Sequence, residues 1–156
     1  MLYSYIMNRK MPALIPELKV SDFKRSLEFY VALARFEVEY ERPENEFAML
    51  SREGAWLMIE SLADKSRAFD IGILERPFGR GMHFQIEVSN AQELYYNFKN
   101  NDYPLFMEME ERWYRRENIE LGNRQFLVQD PDGYLLRFFQ DIGERPRGIN
   151  LVDFKA

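Results

Sequence analysis

The feature that most constrains what this chain can fold into is an internal repeat. Residues 15–40 (IPELKVSDFKRSLEFYVALARFEVEY) lie over residues 83–108 (HFQIEVSNAQELYYNFKNNDYPLFME) without a gap, pairing Leu18 with Ile86, Val20 with Val88, Ser21 with Ser89 and Asp22 with Asn90. Self-similarity of this kind points to one supersecondary unit used twice. In each copy an alternating stretch, Glu17-Leu18-Lys19-Val20 or Gln85-Ile86-Glu87-Val88, has the period-two pattern of a strand with one packed face. Helix N-cap residue types follow, Ser21-Asp22 and Ser89-Asn90, and Ser89 with Gln92 has the spacing of a capping box. Apolar residues then recur at helical spacing: Phe23, Leu27, Tyr30 and Val31 in the first copy, Ala91, Leu94, Tyr95 and Phe98 in the second.

After each helix the pattern returns to strands. The first copy predicts strands over 46–51 and 55–61 about the turn Arg52-Glu53-Gly54. The second predicts strands over 123–129 and 134–140 about Asp130-Pro131-Asp132-Gly133, whose Pro and Gly are strong turn formers. The unit is therefore βαβββ, occupying 13–62 and again 82–141. A linker spans 63–81, marked by Pro77, Gly72, Gly79 and Gly81, and residues 142–156 read as a C-terminal arm. Each copy alone is small for independent stability, so the expectation is a single α+β domain over 1–156 in which two modules share one core.

Composition narrows the function. With 21 Lys+Arg against 26 Asp+Glu the net charge is −5, which disfavours nucleic acid as a partner and suits a cationic or neutral ligand. The absence of cysteine removes thiol nucleophiles, thiolate zinc sites and iron–sulfur clusters, and His83 is the only histidine. No apolar run approaches a membrane span, and Met1 to Ile6 lack the layout of a secretory signal, so the expected location is the cytoplasm, without a membrane partner. The aromatic share is 15%, more than the core of such a chain strictly requires.

The duplicated βαβββ unit, Val20-Ser21-Asp22 at the head of the first helix, and QFLVQDPDGYLLRFFQ closing the second copy resemble the vicinal-oxygen-chelate superfamily, the glyoxalase, extradiol dioxygenase and bleomycin-resistance group. The resemblance covers roughly residues 13–141. It implies two tandem βαβββ modules, each an open half-barrel, facing each other across a ligand cleft, often within a dimer. Enzymatic members hold a divalent metal at four positions, which fall here on Ile15, Glu60, His83 and Arg137. Ile15 has no donor atom and Arg137 is permanently cationic, so no metal or other cofactor is expected. The resemblance sets Glu60 and Arg137 facing each other in the cleft, which suggests a guanidinium where the ion would be.

The bleomycin-resistance branch, which lacks the metal tetrad, is matched more closely. Pro16-Glu17-Leu18, Asp22-Phe23, Leu57-Met58-Ile59-Glu60 and Asp130 to Gly133 followed by Leu135-Leu136-Arg137 carry the likeness. It implies a non-catalytic homodimer that sequesters a flat, cationic, bleomycin-like antibiotic and so confers resistance. The alternative is a metal-dependent glyoxalase-like lyase or extradiol dioxygenase with a degenerate site; a scaffold with a plugged cleft is a third reading. Candidate ligand-binding residues are Trp56, Met58 and Glu60 on one strand face, His83 and Gln85 on the first strand of the second copy, and Arg137 with Phe139 on its last. Trp113 and Tyr114 join them from the segment 107–122, which the repeat lacks and which is expected to overhang the cleft.

Overall fold

The computed structural model describes residues 11–63 and 72–148. The chain divides into two compact units between Arg76 and Pro77. Both are built the same way.

In the first unit, strand β1 (Glu17–Val20) leads into helix α1 (Phe23–Glu28), followed by β2 (Glu37–Arg42), β3 (Phe47–Arg52) and β4 (Ala55–Ser61). The sheet order is β1-β4-β3-β2, with β1 parallel to β4 and the other pairs antiparallel. The second unit repeats this with β5 (Phe84–Glu87), α2 (Ala91–Asn100), β6 (Leu105–Arg116), β7 (Ile119–Gln129) and β8 (Leu135–Pro146), in the order β5-β8-β7-β6. These are two open, four-stranded mixed sheets, each a βαβββ module, and neither closes into a barrel.

Local chemistry accounts for the elements. The Asp22 carboxylate accepts the Arg25 amide at 3.0 Å, and the Asn90 side chain accepts the Glu93 amide at 3.0 Å, so each helix starts at the second residue of its predicted cap pair, and the capping partners are Asn90 and Glu93 rather than Ser89 and Gln92. In the β3–β4 hairpin Arg52 pairs with Ala55, leaving Glu53 and Gly54 as a two-residue turn with φ of 45° and 93°. Two positive φ values match the twist of an antiparallel pair. One face of the first sheet presents Leu18, Val20, Leu50, Leu57 and Ile59, all at most 4% exposed, and α1 packs against β4. In the second unit Ile86, Phe126, Leu136 and Phe138 do the same, with Phe98 of α2 within 5.9 Å of Phe126 and 6.2 Å of Phe138, ring centre to ring centre.

The two copies are not in phase throughout. Helix α1 passes into a single π-helical stretch, Phe29–Leu33, before Arg35 at φ 60°; α2 has no such stretch and is followed by Asp102, φ 51°. The N-caps are thus 68 residues apart and the left-handed residues 67, so the first helix carries one extra residue, absorbed as the π turn. This shifts the inward face. Phe29 is buried and Val31 is 38% exposed, whereas helical spacing alone had placed Val31 in the apolar stripe. At the end of α2 the Tyr103 amide donates to the Phe98 carbonyl and the Asp102 amide to Lys99, a Schellman pair with a residue other than glycine at its left-handed position.

The second unit is also longer. Strands β6, β7 and β8 run 12, 11 and 12 residues, against 6, 6 and 7 for β2, β3 and β4. The segment 107–122, expected as an overhang, is the continuation of the β6–β7 hairpin, and β8 runs on to Pro146 where an arm was expected. Charges hold this extension together: Glu111 with Arg124, Glu120 with Arg145, and Arg116 with Glu144. The later part of the expected arm, from residue 149, lies outside the described residues.

Candidate functional site

Strand alternation assigns each candidate residue to a face. In the first unit Trp56, Met58 and Glu60 share the face opposite the core, and their β3 partners are Ser51, Met49 and Phe47. Phe47 is covered by the Arg42 guanidinium at 3.9 Å and by the Tyr40 ring at 5.8 Å. Glu60 is half-buried and ion-paired with Lys19, its neighbour on β1. Glu17 shares a hydrogen bond with the same carboxylate. Lost hydration, that bond and repulsion from Glu60 raise the Glu17 pKa, while Lys19 and Arg42 oppose the shift. Sequence reasoning missed Lys19 as the partner of Glu60, although parallel pairing of the first and last strands of the module is what sets the two side by side.

In the second unit Gln85 pairs with Arg137 and Glu87 with Phe139, across β5 and β8. Their common face opens into a cavity of about 430 Å³. Gln85, Glu87, Arg137 and Phe139 line it from strands that have counterparts in the first unit. Tyr114, Arg116, Leu121, Asn123, Asp141 and Glu144 line it from the extension. A bulge at Asp141–Gly143, where Gly143 has φ 103° and its amide donates to the Asp141 carboxylate at 2.7 Å, sits where the extension begins.

Tyr114 is held by Gln125, which sequence reasoning did not single out. Gln125 is 1% exposed, and its Nε2 donates to the Tyr114 hydroxyl at 2.7 Å and to Glu110 at 2.9 Å. A buried glutamine beside the Phe126-Leu127-Val128 run is the signal that was available, since a polar side chain among apolar neighbours needs hydrogen-bond partners.

Four of the candidates are therefore together: Gln85, Tyr114, Arg137 and Phe139. Trp56, Met58 and Glu60 form their own group on the first unit. Trp113, next to Tyr114 on β6, points to the opposite face of the sheet, where it lies over Gly122 and stacks with the Arg145 guanidinium at 4.2 Å. His83 is exposed and immediately precedes β5.

The carried-over metal positions do not fit a divalent ion. Ile15 offers no donor, Arg137 is a cation, and Glu60 is already neutralised by Lys19. Among the described residues no three His, Asp or Glu side chains converge as a metal site would require. The pairings also set the positions out of phase: Leu18 pairs with Ile59 and Ile86 with Phe138, so the counterpart of Arg137 in the first unit is Met58, and that of Glu60 in the second is Phe139.

No family model matches the chain, and no curated protein does. Among solved structures, a glyoxalase/bleomycin resistance protein/dioxygenase superfamily member from Vibrio splendidus 12B01 is 36% identical, over 81% of this chain and 97% of that one, with a TM-score of 0.37. The sequence identity is what relates the two; the superposition adds nothing to it. TioX from Micromonospora sp. ML1 is 18% identical, covering 84% of this chain and 99% of its own, with a TM-score of 0.63. A glyoxalase/bleomycin resistance protein/dioxygenase from Alicyclobacillus acidocaldarius is 19% identical, covering 88% and 96%, with a TM-score of 0.57. The last two share the fold. Among the described residues no helix is long and apolar enough to cross a membrane.

Proposed function

We infer that this chain, which belongs to the glyoxalase/bleomycin resistance protein/dioxygenase superfamily, is a non-catalytic, cytoplasmic binding protein that works as a homodimer and sequesters a flat, cationic, bleomycin-like antibiotic. The observation that carries the reading is the guanidinium of Arg137 at a position where enzymatic relatives need a metal donor, inside a cavity that also holds Phe139 and Tyr114. An aromatic guest gains roughly 0.5–1.5 kcal/mol from each well-placed ring contact beyond the area it buries. Its positive groups find Glu87 and Asp141 on the wall, and the volume of about 430 Å³ lies within the range of small-molecule sites. Nothing here requires a bond to break. The metal-dependent alternative needs donor atoms that Ile15 and Arg137 lack.

Titration with metal-free bleomycin, followed by calorimetry, tests this. Saturable binding at micromolar ligand with one equivalent per chain is the expected result, and a protein that shows no saturation in that range does not have this function. Sedimentation should give a particle of twice the 18.8 kDa chain mass. A monomer would remove the dimer from the reading.

A further inference from the structure

We propose, building on the reading of this cavity as the ligand site, that the guest is amphoteric: it brings a carboxylate, or an equally strong anionic acceptor, to Arg137, alongside the ring and the cationic group. Arg137 lies between Gln85 on β5 and Leu127 on β7, so it projects from the middle of the sheet. It is only half-exposed, and its Nε is shut off from water with no acceptor. No carboxylate or carbonyl among the described residues of its unit accepts from this guanidinium. Two other arginines of the same sheet differ. Arg116, which also lines the cavity, is paired with Glu144 at 3.4 Å, and Arg124 with Glu111 at 2.8 Å.

The buried Nε–H of this guanidinium lacks an acceptor, and buried polar groups without partners are rare enough that each asks for a reason. The two other carboxylates of the cavity do not supply the acceptor. Asp141 receives the Gly143 amide, and Glu87 stands opposite Phe139, one pair further along β8 than Arg137. Apart from the Arg116–Glu144 pair, the cavity thus holds one cation, Arg137, and two carboxylates, Glu87 and Asp141, with no ion pair joining them, and Phe139 lines it with them. A guest whose only charges are positive would satisfy the carboxylates and leave Arg137 without its acceptor. One that adds a carboxylate completes a charge-assisted, two-pronged pair of the kind that guanidinium geometry favours.

The test uses two probes of nearly equal shape, L-tryptophan and L-tryptophanamide, which share the ring and the ammonium and differ in the carboxylate. Affinities for the full chain come from amide chemical-shift titration at pH 7. The wild-type protein is expected to bind tryptophan at least about tenfold more tightly than the amide, the scale of one charge-assisted hydrogen bond. Arg137→Gln should reduce that preference to less than about threefold. Equal binding of the two probes by the wild-type protein overturns the proposal, and so does a preference that survives in Arg137→Gln. The wild-type comparison needs no variant, so a poorly folding substitution does not shield the idea. Bleomycin plays no part in these ratios; a failure of sequestration and a failure of the carboxylate pair are therefore read separately.

Discussion

Gly133 closes the Asp130-Pro131-Asp132-Gly133 turn with φ 95°, a conformation that side chains other than hydrogen resist. Its surroundings add a second constraint. A Cβ at this position would stand 2.5 Å from Pro77 Cβ and 2.6 Å from Pro77 Cα, because the Phe78 amide donates to the Asp132 carbonyl at 2.9 Å and holds that segment against the turn. Gly133→Ala therefore carries two penalties: about 1–2 kcal/mol for the left-handed backbone and about 1–3 kcal/mol for an overpacked contact with main chain. Gly54→Ala is the matching control. It has nearly the same φ, 93°, and nothing within 4 Å of the added carbon, so only the first penalty applies. Urea unfolding in a Trp56→Phe background, where Trp113 alone reports, should place Gly133→Ala at least about 1 kcal/mol below Gly54→Ala. Equal destabilisation by the two substitutions would refute the claim that the turn is clamped by Pro77 and Phe78.

Arg35 and Asp102 occupy left-handed positions at the helix ends, φ 60° and 51°, so Arg35→Gly and Asp102→Gly should each raise unfolding stability by about 0.5–1 kcal/mol in urea titration; a loss at both positions would contradict the strain argument. Glu17 has a raised pKa, which means that the protonated form is favoured in the folded state and that stability falls as pH rises through that pKa. Glu17→Gln should therefore flatten the melting temperature between the ordinary carboxylate range and pH 7, and an unchanged pH profile would show that the pair with Glu60 has no energetic weight. Gly122→Val places atoms where the Trp113 ring now lies, 2.8 Å from an added Cβ, so Trp113 emission should shift to the red; an unchanged spectrum would mean that the ring does not rest on this glycine.

Much of the fold was legible in the sequence, for identifiable reasons. The caps Asp22 and Asn90 and the period-two strands on either side of them are local signals, and the turns at Glu53-Gly54 and Asp130 to Gly133 depend on residues with special backbone freedom. The π turn at Phe29–Leu33 was not legible, because one extra residue changes helix phase without changing composition, and Val31 paid for it by turning outward. The hairpin extension was missed for another reason. Its charges make sense only against cross-strand partners, as Glu111 does against Arg124, and a segment read as an overhang gives no cause to pair them. Once it is a strand, Trp113 and Tyr114 must point to opposite faces. That Arg137 and Phe139 share a face followed from alternation, whereas setting Gln85 beside them took the β5–β8 pairing, and Gln125, which holds Tyr114, the β6–β7 pairing.

The central claim is that the open face of the second sheet is where the ligand lies. Amide chemical-shift mapping of the labelled protein with metal-free bleomycin tests it most directly. The account predicts the largest changes at Gln85, Tyr114, Asn123, Arg137 and Phe139, with the outer face around Trp113 and Arg145 little affected. Changes concentrated on that outer face or along α2, with the cavity residues unmoved, would contradict it.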